Sequence, residues 1–181
     1  MRMLGIVLTS SQERAVRRLI GFLDEAAACY QFSGGFAGNL HGSRWPLHDL
    51  DVEVAQQDLP RLAALLQPSI SHPLDWYEDA EFRLYLLRAK IEGVDIDVSQ
   101  AEDAYGRCGS QWVPLGTDLA RRQQVPWLDL HVWVQPLDAL IAYKALIGRA
   151  ADVAELRALQ NRLRQCRPGD KLGCINKRGL W

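Results

Sequence analysis

Residues 49–54 read DLDVEV and residues 94–99 read VDIDVS, two segments in which apolar and polar side chains alternate without a break. A period of two is met by an extended strand that buries one face. Leu50, Val52 and Val54 then face a core, while Asp49, Asp51 and Glu53 project from the other side. In the second segment Val94, Ile96 and Val98 form the apolar set and Asp95 and Asp97 the opposite one. Carboxylates one residue apart on a strand point the same way and repel unless a proton or a cation lies between them. Upstream stands Gly34-Gly35, where the backbone can turn sharply and approach a ligand closely. Paired acids beside a glycine turn suit a divalent metal that bridges to phosphate oxygens. A third acid from the second segment completes such a site, and Asp95 and Asp97 both stand on the face that offers it.

The rest of the chain reads as helices and strands around this pair. Ser10 and Glu13 have capping-box spacing, and Val16, Leu19, Ile20, Leu23 and Ala27 recur at helical intervals, which predicts a helix over 11–28. Tyr30–Phe32 is a short strand that delivers the chain into the glycines, and Phe36 to Leu40 makes a helical turn or two. Asp58 is placed to cap a helix through Leu62, Leu65 and Leu66 that ends near Pro68. After a loop rich in Pro, His and Trp, a strand over Phe82–Lys90 turns at Glu92-Gly93 into Val94–Ser99, a hairpin beside the Asp49 strand. Residues 100–126 read as a long irregular connection, with Trp112-Val113 and Leu128–Val134 as short strands. Pro136 opens a helix through Leu140, Ile141 and Ala145, and Val153, Leu156, Leu159 and Leu163 mark another after Gly148. The expected organisation is an α+β core over 1–135, a C-terminal helical pair over 136–166 and a surface tail over 167–181.

Composition narrows the function classes. With 181 residues, 48% of them hydrophobic, the chain has core enough for one enzyme-sized domain. Lys and Arg total 21 against 22 for Asp and Glu, so no global basic field points to duplex DNA. The opening MRMLGIVLTSS lacks a secretory pattern and no stretch approaches a membrane span. Cys29, Cys108, Cys166 and Cys174 are dispersed, which suggests reduced thiols and a cytoplasmic setting.

Gly34-Gly35, thirteen residues, Asp49-Leu50-Asp51 and then a Val-Asp-Ile-Asp-Val strand together resemble the nucleotidyltransferase fold of DNA polymerase beta and the aminoglycoside and lincosamide nucleotidyltransferases. The stretch AGNLHGSRWPLHDLD is similar to the small-molecule enzymes, and the resemblance is strongest over residues 30–100. LDALIAYKALIGRAADVAEL resembles, more faintly, the helical part of minimal nucleotidyltransferases. The resemblance implies a mixed sheet with flanking helices and transfer of a nucleoside monophosphate from a nucleoside triphosphate such as ATP to a hydroxyl. The acceptor would be a small molecule, a protein or an RNA end. It implies two magnesium ions on Asp49 and Asp51, with Asp97 as third ligand or general base and Asp95 as the alternative. Ser33, Gly34 and Gly35 would meet the phosphates, and Arg44, His48 and Lys144 would neutralise them. Against the antibiotic-modifying enzymes, the chain is expected to lack a larger helical domain.

Other assignments compete. Lys144, Arg149 and Asp152 also read as ordinary helix-surface charges, and Glu53 as a solvated strand end. Trp45, between Arg44 and His48, is a candidate stacking platform, whereas His41, His48, His72 and His131 lack metal-ligand spacing. A nucleotide- or partner-binding module without turnover, of toxin–antitoxin type, is the second functional class. A metal-dependent phosphohydrolase is the third.

Overall fold

A computed structural model describes residues 8–165. In chain order the elements are α1 (Ser10–Glu25), β1 (Tyr30–Phe32), α2 (Gly34–His41), β2 (Asp49–Val54), α3 (Leu59–Leu66), β3 (Ile70–Glu78), β4 (Phe82–Ile91) and β5 (Val94–Gln100). Then come β6 (Tyr105–Cys108), β7 (Gln111–Pro114), β8 (Gln123–Trp127), β9 (Leu130–Val134), α4 (Leu137–Leu146) and α5 (Ala150–Gln165). The strands form one mixed sheet in the order β7-β6-β4-β5-β2-β1-β9-β8, with β3 also paired to β4. Leu86 of β4 faces Asp75 of β3 on one side and Ser99 of β5 on the other, so β3 and β5 hold opposite edges of β4.

The alternation in β2 and β5 places the core. The two strands run parallel in register, Leu50 beside Ile96 and Val52 beside Val98, and all four side chains are fully buried. They share a hydrophobic cluster with Val16, Leu19 and Leu23 of α1 and with Leu59, Leu62 and Leu66 of α3, so these helices cover that face. Burial of each such side chain contributes roughly 1.5–3 kcal/mol. A second cluster joins Ala37 of α2 and Val134 of β9 to Leu140, Val153, Leu156 and Leu159 of α4 and α5. The C-terminal helices thus pack over one part of the opposite face.

Several local expectations shift. The capping box belongs to Thr9 and Gln12, one residue before Ser10 and Glu13: Thr9 Oγ1 accepts from the Gln12 amide at 3.2 Å and Gln12 Oε1 from the Thr9 amide at 2.8 Å. Glu13 instead pairs with Arg17. The helix stops at Glu25, because Ala27 adopts a positive φ of 49°. Asp58 makes no side-chain cap; its carboxylate accepts from the Cys29 amide at 2.8 Å.

The segment 70–78, expected as loop, is strand β3. It tolerates Pro73 because it pairs on one side and carries register shifts between Ile70 and His72 and between His72 and Asp75. The stretch 100–126 is likewise less irregular than its sequence, since β6–β7 form a hairpin and β8 begins another with β9. These strands are four or five residues long, too short to establish a period. Leu163 lies outside the core at 53% exposure. The expected tail 167–181 and Cys166 and Cys174 lie outside the described residues. Among the described residues no helix is long and apolar enough to cross a membrane.

Candidate active site

The parallel pairing of β2 with β5 aligns the polar face of both strands. Asp49 stands beside Asp95, Asp51 beside Asp97 and Glu53 beside Ser99. The antiparallel neighbour β4 adds Lys90, Arg88 and Leu86 to the same three rungs. A cavity of about 590 Å³ opens over this ladder, and Asp49, Asp51 and Asp97 line it. Asp95 is not on its wall: its carboxylate is 62% exposed and bonds Lys90 Nζ at 2.8 Å.

The glycine turn is built onto the ladder. The Ser33 amide donates to the Asp51 carbonyl at 3.0 Å, so the end of β1 is tied to the middle acid rung. Gly34 has φ +57°, a region that disfavours side chains, and a Cβ there would overlap Asp51 Oδ2 and lie 2.7 Å from Asp51 Cγ. The carboxylate of Asp51 occupies the space that only glycine leaves free. Gly35 is less constrained, since its Cβ would meet Leu47 at an ordinary 3.7 Å. Helix α2 starts here without a side-chain cap from Ser33, so its first amides are free to bind anionic oxygens. Ser33 and Gly35 line the cavity.

Charge repulsion within the ladder is uncompensated at one point. The Asp51 carboxyl is pushed up to about 7 by burial, then by Asp49 and Asp97, while Lys144 acts in the opposite direction. Asp97 is also raised, by burial first; the Arg88 guanidinium opposes this, with Nε 3.2 Å from Oδ1 and 3.4 Å from Oδ2. Arg88 is itself held over the Tyr77 ring at 4.8 Å. Glu53 is not a solvated strand end: it is 7% exposed, and its two oxygens accept from Gln31 Nε2 at 2.6 Å and Thr117 Oγ1 at 2.8 Å. Burial raises its pKa and those two hydrogen bonds oppose the rise.

Helix α4 brings Lys144 over the cavity. It is not an ordinary surface charge, since its side chain is 14% exposed, pairs with Asp152 at 3.3 Å and lies 5.5 Å from the Trp45 ring centre. Trp45 lines the wall as a fixed element: its Nε1 donates to Glu155 at 2.7 Å and its ring lies where a Cβ on Gly38 would sit. His48 is exposed at the cavity rim. Arg44 is exposed and absent from the wall. His41 bonds the Gln135 carbonyl at 2.8 Å, and His72 and His131 are exposed elsewhere.

Sequence reading missed Arg88, Tyr77 and Tyr143, all of which line the cavity. Strand β4 buries side chains on both faces, Leu84 and Leu86 on one and Leu87 and Ala89 on the other, so it shows no period that would have placed Arg88 beside Asp97.

Among the described residues no three acidic, His or Cys side chains close into a preformed metal cage. The donor set still fits magnesium: hard carboxylate oxygens crowded on one face of two adjacent strands, where their mutual repulsion favours a cation between them, and an open cavity that leaves positions for water and phosphate oxygens.

Neither a protein-family model nor a curated protein sequence matches the chain. Solved structures do. TM1012 from Thermotoga maritima, assigned as a nucleotidyltransferase, superposes with a TM-score of 0.67 at 16% identity over 86% of this chain and 96% of that one. ANT(2")-Ia in complex with adenylyl-2"-tobramycin gives 0.52 at 13% identity, over 86% and 98%. The lincosamide adenylyltransferase LnuA with lincomycin bound gives 0.55 at 11%, over 81% and 97%. The chain has the nucleotidyltransferase fold, and the mixed sheet and five α-helices of the described residues are the α+β architecture expected. The expected difference in length from the antibiotic-modifying enzymes is not seen for these two, of which the match covers 98% and 97%.

Proposed function

We propose that the protein transfers a nucleoside monophosphate from a magnesium-bound nucleoside triphosphate to a hydroxyl of a small molecule. The observation that carries this reading is the rung Asp51–Asp97, flanked by Asp49, facing a glycine turn whose backbone is bonded to the same strand. The small-molecule acceptor is supported by the two antibiotic adenylyltransferases among the structural neighbours.

Asp49 and Asp51, with Asp97, are the residues that would hold magnesium; when bound, the ions neutralise triphosphate oxygens and make the acceptor hydroxyl more acidic. The amides at the start of α2 and the Lys144 ammonium take the phosphate charge. The acceptor oxygen bonds to the α-phosphorus as the bond to the β-phosphate oxygen breaks, with inversion, and pyrophosphate leaves. The hydroxyl proton passes to the Asp97 carboxylate, which Arg88 holds in place. Arg88→Gln removes the charge that keeps Asp97 from rising further, so the acidic limb of the kcat profile is expected to move to higher pH. The kcat at neutral pH should fall on the order of tenfold. Nucleotide affinity unchanged within about twofold completes this pattern, whereas an unshifted pH profile contradicts it.

Calorimetric titration with ATP, CTP, GTP and UTP, with and without magnesium, tests the assignment. Magnesium-dependent binding that disappears in Asp49→Asn/Asp51→Asn is expected. Absence of binding to all four overturns it in favour of a partner-binding module. Binding accompanied by release of free nucleotide alone assigns a phosphohydrolase.

A further inference from the structure

The ladder changes character along β4. Arg88 shares a rung with Asp51 and Asp97, Leu86 shares the next with Glu53 and Ser99, and Leu84 pairs with Tyr77 one rung beyond. Each rung advances roughly 7 Å, two residues of extended chain. Across two rungs the cavity floor thus passes from a carboxylate–guanidinium pair to leucines that are 4% and 7% exposed. Tyr143 of α4 and Ile147, just past its end, close the same end.

The carboxylates near this end already have partners. Asp79 accepts from the amides of Glu81 and Phe82, both at 2.7 Å, and from the Tyr77 hydroxyl at 2.9 Å. Glu53 is taken by Gln31 and Thr117, Asp97 by Arg88 and Asp152 by Lys144. Among the described residues, Asp49 and Asp51 are the two cavity acids without such a bond, and both are among the three proposed metal ligands.

The two ligands of the proposed reaction approach from different sides. Phosphates belong at the start of α2, which follows β1, on one flank of β2. Asp97, the proton acceptor, lies on β5, on the other flank, and β4 follows directly. The acceptor hydroxyl at Asp97 therefore has the body of its molecule over Leu86, Leu84 and Tyr77.

From this, and resting on the transfer reaction proposed above, we infer that the acceptor is an uncharged or weakly charged hydroxylated molecule with a flat apolar face, and not a polycation. A hydroxyl beside such a face reaches Asp97 while the apolar part covers the leucines. A molecule bearing several ammonium groups would set them against aliphatic side chains, and the carboxylates within reach already have oxygens committed to other donors, so it loses hydration there for less return than a neutral molecule.

Saturation-transfer NMR and calorimetry with two hydroxylated probes test this. Phenyl β-D-glucopyranoside has hydroxyls and a flat apolar ring without charge; 2-deoxystreptamine is a hydroxylated dication. The expected result is at least tenfold tighter binding of the phenyl glucoside, weakened fivefold or more in Leu84→Asn and in the more exposed Ile147→Gln. Magnesium–ATP affinity should stay within twofold in both variants. Tighter binding of the dication overturns the inference, as does failure of the phenyl glucoside to bind at millimolar concentration. Loss of nucleotide affinity in the variants also overturns it, since the apolar rungs then hold the base. Absence of magnesium–ATP binding in the wild type overturns the transfer reaction separately, and the comparison of the two probes still decides what the apolar end accepts.

Discussion

Asp51→Asn is expected to abolish magnesium-dependent nucleotide binding and to lower turnover on the order of a thousandfold, while making the ligand-free protein more stable. The two effects have one origin. Asp51 is crowded by Asp49 and Asp97 and withdrawn from water, which raises its carboxyl to about 7. Its folded value lies above its unfolded one, so the native state binds the extra proton. Stability therefore falls as pH rises from about 4 to about 7, and above that range the whole electrostatic penalty is present. Asparagine carries no charge and removes this slope. A gain of about 1–3 kcal/mol at pH 8 is expected by thermal or denaturant unfolding, shrinking toward pH 4. An Asp51→Asn protein that is less stable at pH 8, or that binds magnesium nucleotide normally, contradicts the assignment.

Gly34→Ala is expected to be the most damaging single-methyl change in the described chain. The new Cβ overlaps the Asp51 carboxylate, and the backbone keeps a positive φ that alanine resists. Relief requires either a shift of the turn or rotation of the Asp51 side chain off its rung. Loss of about 2–4 kcal/mol of stability, or retained folding with turnover reduced at least a hundredfold, is the expected outcome. The control is Gly35→Ala, whose Cβ would make an ordinary contact with Leu47 and which should cost little. Equal tolerance of both substitutions, measured by unfolding and nucleotide titration, rules out the packing argument.

The acid rungs were legible because β2 and β5 alternate apolar with polar side chains, which writes their orientation into every second residue even where, as at Glu53, the polar face is buried too. The same holds for Val153, Leu156 and Leu159, whose helical spacing places them in the second core. What the sequence concealed lies where burial is two-sided or absent. Strand β4 packs on both faces and hid Arg88, while β3 is exposed at most positions and read as loop. The choice between Asp95 and Asp97 was likewise invisible in VDIDVS; it depends on register with β2 and on Lys90 drawing Asp95 outward. Arg44, inside the motif stretch, projects away from the wall even though its neighbours Trp45 and His48 line it.

The hydrogen bond from the Ser33 amide to the Asp51 carbonyl joins the turn and the acids through a single backbone ladder. Any displacement of β2 therefore carries the turn with it, and the spacing between the two is insensitive to distortion elsewhere in the sheet. The wall beyond Leu86 is assembled from separate segments, the β3–β4 connection, Leu115 and α4. Helix α4 and strand β4 each serve both ends of the cavity, through Lys144 with Tyr143 and through Arg88 with Leu86, so only the β3–β4 connection and Leu115 stand apart from the acids and can be exchanged without disturbing them.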